Sequence, residues 1–102
     1  MTVTKSQYDG NMTGEIKMTI KYTLYTETKG NLKTIAARYF EAFTLSDGSG
    51  FWKGTQENST QITVIGSDQD GNKIDSLAEE IKKINQQEAV LVIAEPVCMR
   101  MV

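Results

Sequence analysis

From Ile16 to Thr26 the chain alternates strictly. Ile16, Met18, Ile20, Tyr22 and Leu24 fall on one side, and Lys17, Thr19, Lys21, Thr23 and Tyr25 on the other. A period of two over this length predicts a half-buried strand. After the turn "ETKGN" the period changes. Leu32, Ile35, Ala36, Tyr39, Phe40 and Phe43 recur at helical spacing. They predict an amphipathic helix capped by Asn31 and ending near Ala42. Phe43-Thr44-Leu45 turns extended again. The glycines in Ser46 to Gly50 predict a bend or bulge, and Phe51-Trp52-Lys53 resumes the strand. A tight reversal is expected within Gly54 to Asn58, and Ser59 to Gly66 returns with Ile62 and Val64 on one face and Thr63 and Ile65 on the other.

"SDQDGN" is a turn carrying helix-capping residues. Ile74, Leu77, Ala78, Ile81 and Ile84 then form a second helical stripe. Asp75 is expected in its first turn and Lys82 and Lys83 in its last, matching the helix dipole. Ala89 to Ala94 is a short apolar run that suits a strand ended by Pro96. The resulting order, β-α-β-β-α-β, is the ferredoxin-like arrangement: a four-stranded antiparallel sheet with both helices on one face. Residues 16–96 form this domain. Residues 1–15 read as a flexible arm and 97–102 as an oligomerisation tail.

The last strand is apolar on both faces, with Val90 and Val92 opposed to Leu91 and Ile93. A free sheet face is normally polar on alternate positions. Either the first and last strands are central, where two apolar faces are tolerated, or a second copy covers the outer face. The apolar tail favours the second option. It assigns a dimer or trimer interface to Leu91, Ile93, Val97, Met99 and Met101.

Composition removes several functional classes. The 102 residues support one domain, with 39% apolar and 24% charged residues. The net charge is −2 and the eleven basic residues are scattered, which disfavours nucleic acid as a partner. No apolar run is long enough for a membrane helix and the first fifteen residues are polar, so a cytoplasmic protein without membrane contact is expected. Histidine is absent and Cys98 is the single cysteine. Ser-His and Cys-His nucleophilic systems, a disulfide framework and the usual zinc sites are therefore excluded. No metal, cofactor or catalytic residue is assigned, and the chain reads as a non-enzyme.

Candidate chemistry concentrates in "SDGSGFWKGTQENST". Trp52 could stack on a planar ligand, Lys53 could meet negative charge, and the Gly54 backbone permits close approach. Glu57 and Ser59 could orient polar groups. A plain hairpin whose Phe51 or Trp52 caps the core uses the same glycines. Other motifs fail on spacing. "DQDG" lacks the distal glutamate of a calcium loop. The strand "STQITVIG" lacks the aromatic cluster of an RNA-recognition sheet. "TETKGN" does not resemble the arginine-containing phosphate loop of acylphosphatases.

The segment "YFEAFTLSDGSGFWKGTQENSTQITVIGSD" resembles a pattern in small bacterial and phage proteins of ferredoxin-like type, in which an aromatic-Lys-Gly hairpin precedes a strand and an amphipathic helix. Gly50, Trp52, Gly54 and Glu57 carry the resemblance, which implies a phage or mobile-element context. The topology also resembles the trimeric nitrogen-regulatory and divalent-cation-tolerance proteins, whose ligands sit between subunits near the hairpin after the second strand. The expectation is a non-catalytic homo-oligomer binding or sequestering a small anionic, nucleotide-type ligand. Two alternatives stay open: a dimeric α+β-barrel enzyme using Tyr, Glu or Lys, and a protein-interaction module without a ligand.

Overall fold

A computed structural model describes residues 17–102. The arm at 1–15 and the expected side-chain placements of Ile16 and Met18 lie outside what is described. The elements are β1 (Lys17–Glu27), α1 (Leu32–Ala37), β2 (Thr44–Trp52), β3 (Thr55–Gly66), α2 (Gly71–Asn85) and β4 (Leu91–Met99), with a 3-10 turn at Asp68–Asp70 before α2. The four strands form one antiparallel sheet in the order β2-β3-β1-β4. The expected ferredoxin-like fold is therefore the observed one.

Pairing explains which residues are buried. Tyr22 faces Val64 and Leu24 faces Ile62 across the β1–β3 ladder. These four side chains form one side of a single core. Leu32, Ile35 and Ala36 of α1 and Ile74, Leu77, Ala78 and Ile81 of α2 form the other. Leu24, Ile62, Leu77 and Ile81 are fully buried, each contributing on the order of 1.5–3 kcal/mol by leaving water. Ile20, Tyr39, Phe40, Phe43, Val90 and Val92 pack around the edge of this cluster. The Tyr22 hydroxyl donates to the Ser67 carbonyl at 2.6 Å. Burial, ahead of the nearby Asp70, Asp68 and Asp75, pushes that phenol above its ordinary ionisation range.

Several local expectations are corrected. The central strands are β1 and β3, so the last strand is an edge strand, and central placement does not account for its two apolar faces. β4 also runs through Pro96 to Met99 instead of stopping before the proline. An edge strand bonds along one side only, which accommodates the missing amide. Val97 and Met99 of the expected tail thus pair with Thr19 and Lys17 of the same chain.

β2 contains no bulge. Its pairing with β3 is unbroken from Thr44↔Thr63 to Trp52↔Thr55, with Gly48 and Gly50 in regular register. The reversal lies at Lys53-Gly54, before the expected place.

α1 closes at Ala37, with Arg38 as its cap, about a turn short of Ala42. Beyond it, Tyr39 is drawn to α2 by a hydrogen bond from its hydroxyl to Glu80 at 2.6 Å, beside an Arg38–Glu80 ion pair. Tertiary contacts override the apolar periodicity there. Asn31 does cap the helix, accepting from the Thr34 amide at 3.3 Å.

α2 begins at Gly71, which places Asp75 beyond its first turn, while Lys82 and Lys83 do occupy the last. Ile84 is 50% exposed and Asn85 is buried in its place. The reason is polar. Asn85 Nδ2 donates to Gln87 Oε1 at 3.1 Å, Thr26 Oγ1 donates to the same oxygen at 2.7 Å, and Gln87 Nε2 donates to the Ala89 carbonyl at 3.0 Å. This satisfied cluster fastens the end of α2 to the sheet.

Candidate functional site

The β2–β3 hairpin extends past the rest of the sheet. The last β1–β3 pair is Glu27↔Ser59, whereas β2 and β3 stay paired out to Trp52↔Thr55. A two-stranded finger therefore stands beyond the central strand. Its tip is a two-residue loop in which Lys53 (φ 51°) and Gly54 (φ 80°) both take positive φ. That combination is the requirement of a type I′ turn, whose twist matches the flanking strands. Glycine adopts it freely. Lysine does so at a cost of roughly 1–2 kcal/mol, so the ammonium is carried on a backbone position that glycine or asparagine would fill more easily.

Side chains of paired residues point to the same side of a ladder. Trp52, Thr55, Glu57 and Ser59 therefore share one face of the finger, opposite which β2 offers only Gly50 and Gly48. This face continues the helix-free side of the sheet. Between Trp52 and the body of the sheet, β2 presents bare backbone there, flanked by the Glu57 and Ser59 side chains. Gly50 is crowded, since a Cβ there would stand 3.3 Å from the Ser59 Cβ, while one at Gly48 would meet open space. Ser59 Oγ also donates weakly to the Thr26 carbonyl at 3.4 Å.

Trp52 is 51% exposed and Phe51 72% exposed. Neither caps the core of the chain. The Lys53 ammonium stands 5.8 Å from the Trp52 ring centroid, within cation–π range.

Glu88, in the connection between α2 and β4, is the site residue that the sequence reading missed. Trp52 Nε1–H donates to Glu88 Oε2 at 2.9 Å, and Lys53 Nζ lies 3.4 Å from Oε1. The indole hydrogen bond, followed by the lysine's bond and charge, holds this carboxyl below its ordinary range. No local motif marks Glu88. The topology does hint at it, because β4 runs antiparallel to β1 and must start at the end of the sheet from which the finger projects.

The residues assigned to self-association also gather. Leu91, Ile93, Val97 and Met99 share the helix-free face of β4 through their pairing with Tyr25, Thr23, Thr19 and Lys17. Leu91 is 58% and Ile93 40% exposed, and Ile65 adds a third exposed apolar side chain on the same side of β3. Met101 follows the strand and is exposed. Among the described residues no cluster of ligating side chains could hold a metal ion, and no helix is long and apolar enough to cross a membrane.

No family model matches the chain, and no curated protein matches it. Solved structures do. CPII, a nitrogen regulatory PII-like protein from Thiomonas intermedia K12, bound to ADP, AMP and bicarbonate, is similar with a TM-score of 0.62 and 12% identity, over 86% of this chain and 99% of that one. A 2.3 Å structure of CPII with the same ligands gives 0.57 and 14%, over 83% and 98%. At these identities the likeness concerns the fold, over nearly the whole length of both chains.

Proposed function

We propose that this chain is a non-catalytic, homo-oligomeric binding protein whose projecting β2–β3 hairpin takes a small anionic ligand of the nucleotide type at a subunit boundary. The observation that carries the reading is the exposed Trp52–Lys53 pair beside the bare Gly50–Gly48 backbone. A turn requires the glycine at 54 but neither the indole nor the ammonium. Trp52 stacks on the base, Lys53 meets the phosphate charge, the Gly54 backbone allows close approach, and Glu57 and Ser59 orient the ligand by hydrogen bonds. Support comes from CPII, which shares the fold and is bound to ADP, AMP and bicarbonate.

The second copy covers the helix-free face at Leu91, Ile93, Val97, Met99 and Met101, where β4 exposes apolar side chains on an edge strand. Binding without turnover suits sequestration of a nucleotide signal, a role in keeping with the resemblance to phage proteins.

Calorimetry with ADP and AMP tests the ligand. A base stacked on Trp52 contributes ~1–3 kcal/mol, so Trp52→Ala should weaken binding by about five- to 150-fold. A wild-type protein that binds neither nucleotide, or Trp52→Ala and Lys53→Ala variants that bind like wild type, would sink the reading. Light scattering tests the assembly: wild type should be a dimer or trimer at micromolar concentration, and Leu91→Glu with Ile93→Glu should shift it toward monomer. A monomeric wild type refutes self-association.

A further inference from the structure

The finger is held down by a group from outside its own strands. Glu88 takes the Trp52 indole N–H at 2.9 Å with one carboxylate oxygen and approaches the Lys53 ammonium at 3.4 Å with the other. Two donors that converge on one carboxylate from a hairpin 35 and 36 residues away make an anion-accepting pair. A carboxylate and a phosphate are recognised by the same means, charge-assisted donation to anionic oxygens.

Glu88 is presented by a firm support. Its neighbour Gln87 is buried and bonded to Thr26, Asn85 and Ala89, and Gln86 closes α2 in the left-handed region at φ 54°. The carboxylate is therefore offered from the body of the domain, and the donors come to it on the projecting hairpin.

We infer that Glu88 is the resident occupant of the Trp52–Lys53 anion site and that a nucleotide phosphate binds by displacing it. The inference rests on the nucleotide reading of the hairpin and adds a specificity determinant to it. Carboxylate and phosphate cannot share one ammonium without placing like charges together. A ligand must then outcompete Glu88, which disfavours singly charged anions and favours the clustered charge of a nucleoside diphosphate. Displacement also frees the finger from the α2–β4 connection, so an occupied site and a released finger are the same state.

Two measurements on the full chain test this. In the ligand-free protein, the Trp52 indole N–H should exchange with water more slowly in wild type than in Glu88→Ala, followed by NMR; equal rates would overturn the contact on which the inference stands. In calorimetry with ADP at fixed pH and ionic strength, Glu88→Gln should bind roughly two- to fivefold tighter than wild type, the range of an exposed ion pair. If both bind and Glu88→Gln is equal or weaker, displacement is overturned while the nucleotide reading stands. If neither binds ADP, the nucleotide reading and the displacement fall together.

Discussion

Thr26 Oγ1 donates to Gln87 Oε1 at 2.7 Å inside the domain, joining the end of β1 to the segment that follows α2. Gln87 Oε1 also accepts from Asn85, and its amide donates to the Ala89 carbonyl. Truncation to alanine removes the acceptor of the buried Asn85 amide, while the Thr26 hydroxyl keeps only its longer bond to the Glu27 carbonyl at 3.2 Å. A lost buried partner costs ~1–3 kcal/mol. Gln87→Ala should therefore lower unfolding stability by about that amount in urea titration, and a change below ~0.5 kcal/mol would place the side chain in water.

Glycine positions separate into required and incidental ones. Gly30 combines φ +74° with a site where a Cβ would stand 2.5 Å from Asn85 Oδ1, whereas a Cβ on Gly48 meets nothing within 4 Å. Gly30→Ala should destabilise by roughly 1–3 kcal/mol through strain and crowding. Gly48→Ala should stay within about 0.5 kcal/mol, as surface changes do. Equal melting temperatures for the two variants would contradict the conformation at Gly30.

Core truncations should rank by burial. Leu24 is fully buried between the central strands and the helices, while Ile84 is half-exposed on α2. Leu24→Ala should cost ~2–5 kcal/mol. Ile84→Ala should cost little, although Ile84 stands at helical spacing from Ile81 and Leu77. Ile20 is only partly buried at the edge of the core, so Ile20→Ala should fall between the two. Chemical denaturation of the three variants checks the order, and an Ile84→Ala loss as large as that of Leu24→Ala would mean that α2 is rotated.

The Glu88 contact should respond to acid. Its carboxyl titrates below the ordinary value of 4.5 because the indole N–H and then the Lys53 ammonium favour the charged form. A depressed carboxyl stabilises the folded contact above the unfolded value and loses that contribution as pH falls through the folded one. Trp52 emission should therefore be flat at neutral pH and change in a step centred below pH 4.5. The step should be absent in Glu88→Gln. The same step in that variant would assign it to another group.

The alternation through Leu24 and the helical stripe through Ile81 were enough to determine the strands, the helices and their order. Those periods follow from backbone geometry and from which face must leave water, and both are local properties. The Trp-Lys-Gly cluster at the hairpin could also be read directly, since its residues are adjacent in the chain. Local pattern could not reveal where a neighbour from another element overrides periodicity. Tyr39 leaves the helical continuation for a bond to Glu80, and Asn85 takes the buried place of Ile84 because Gln87, itself fixed by Thr26, lies there to receive its amide. β4 is an edge strand because, among the described strands, it pairs with β1 alone, whose other side is taken by β3. Glu88 reaches Trp52 for the same kind of reason: the distance between them is set by how α2 and β4 return to the hairpin end of the sheet, a long-range result of packing that no short stretch of residues encodes.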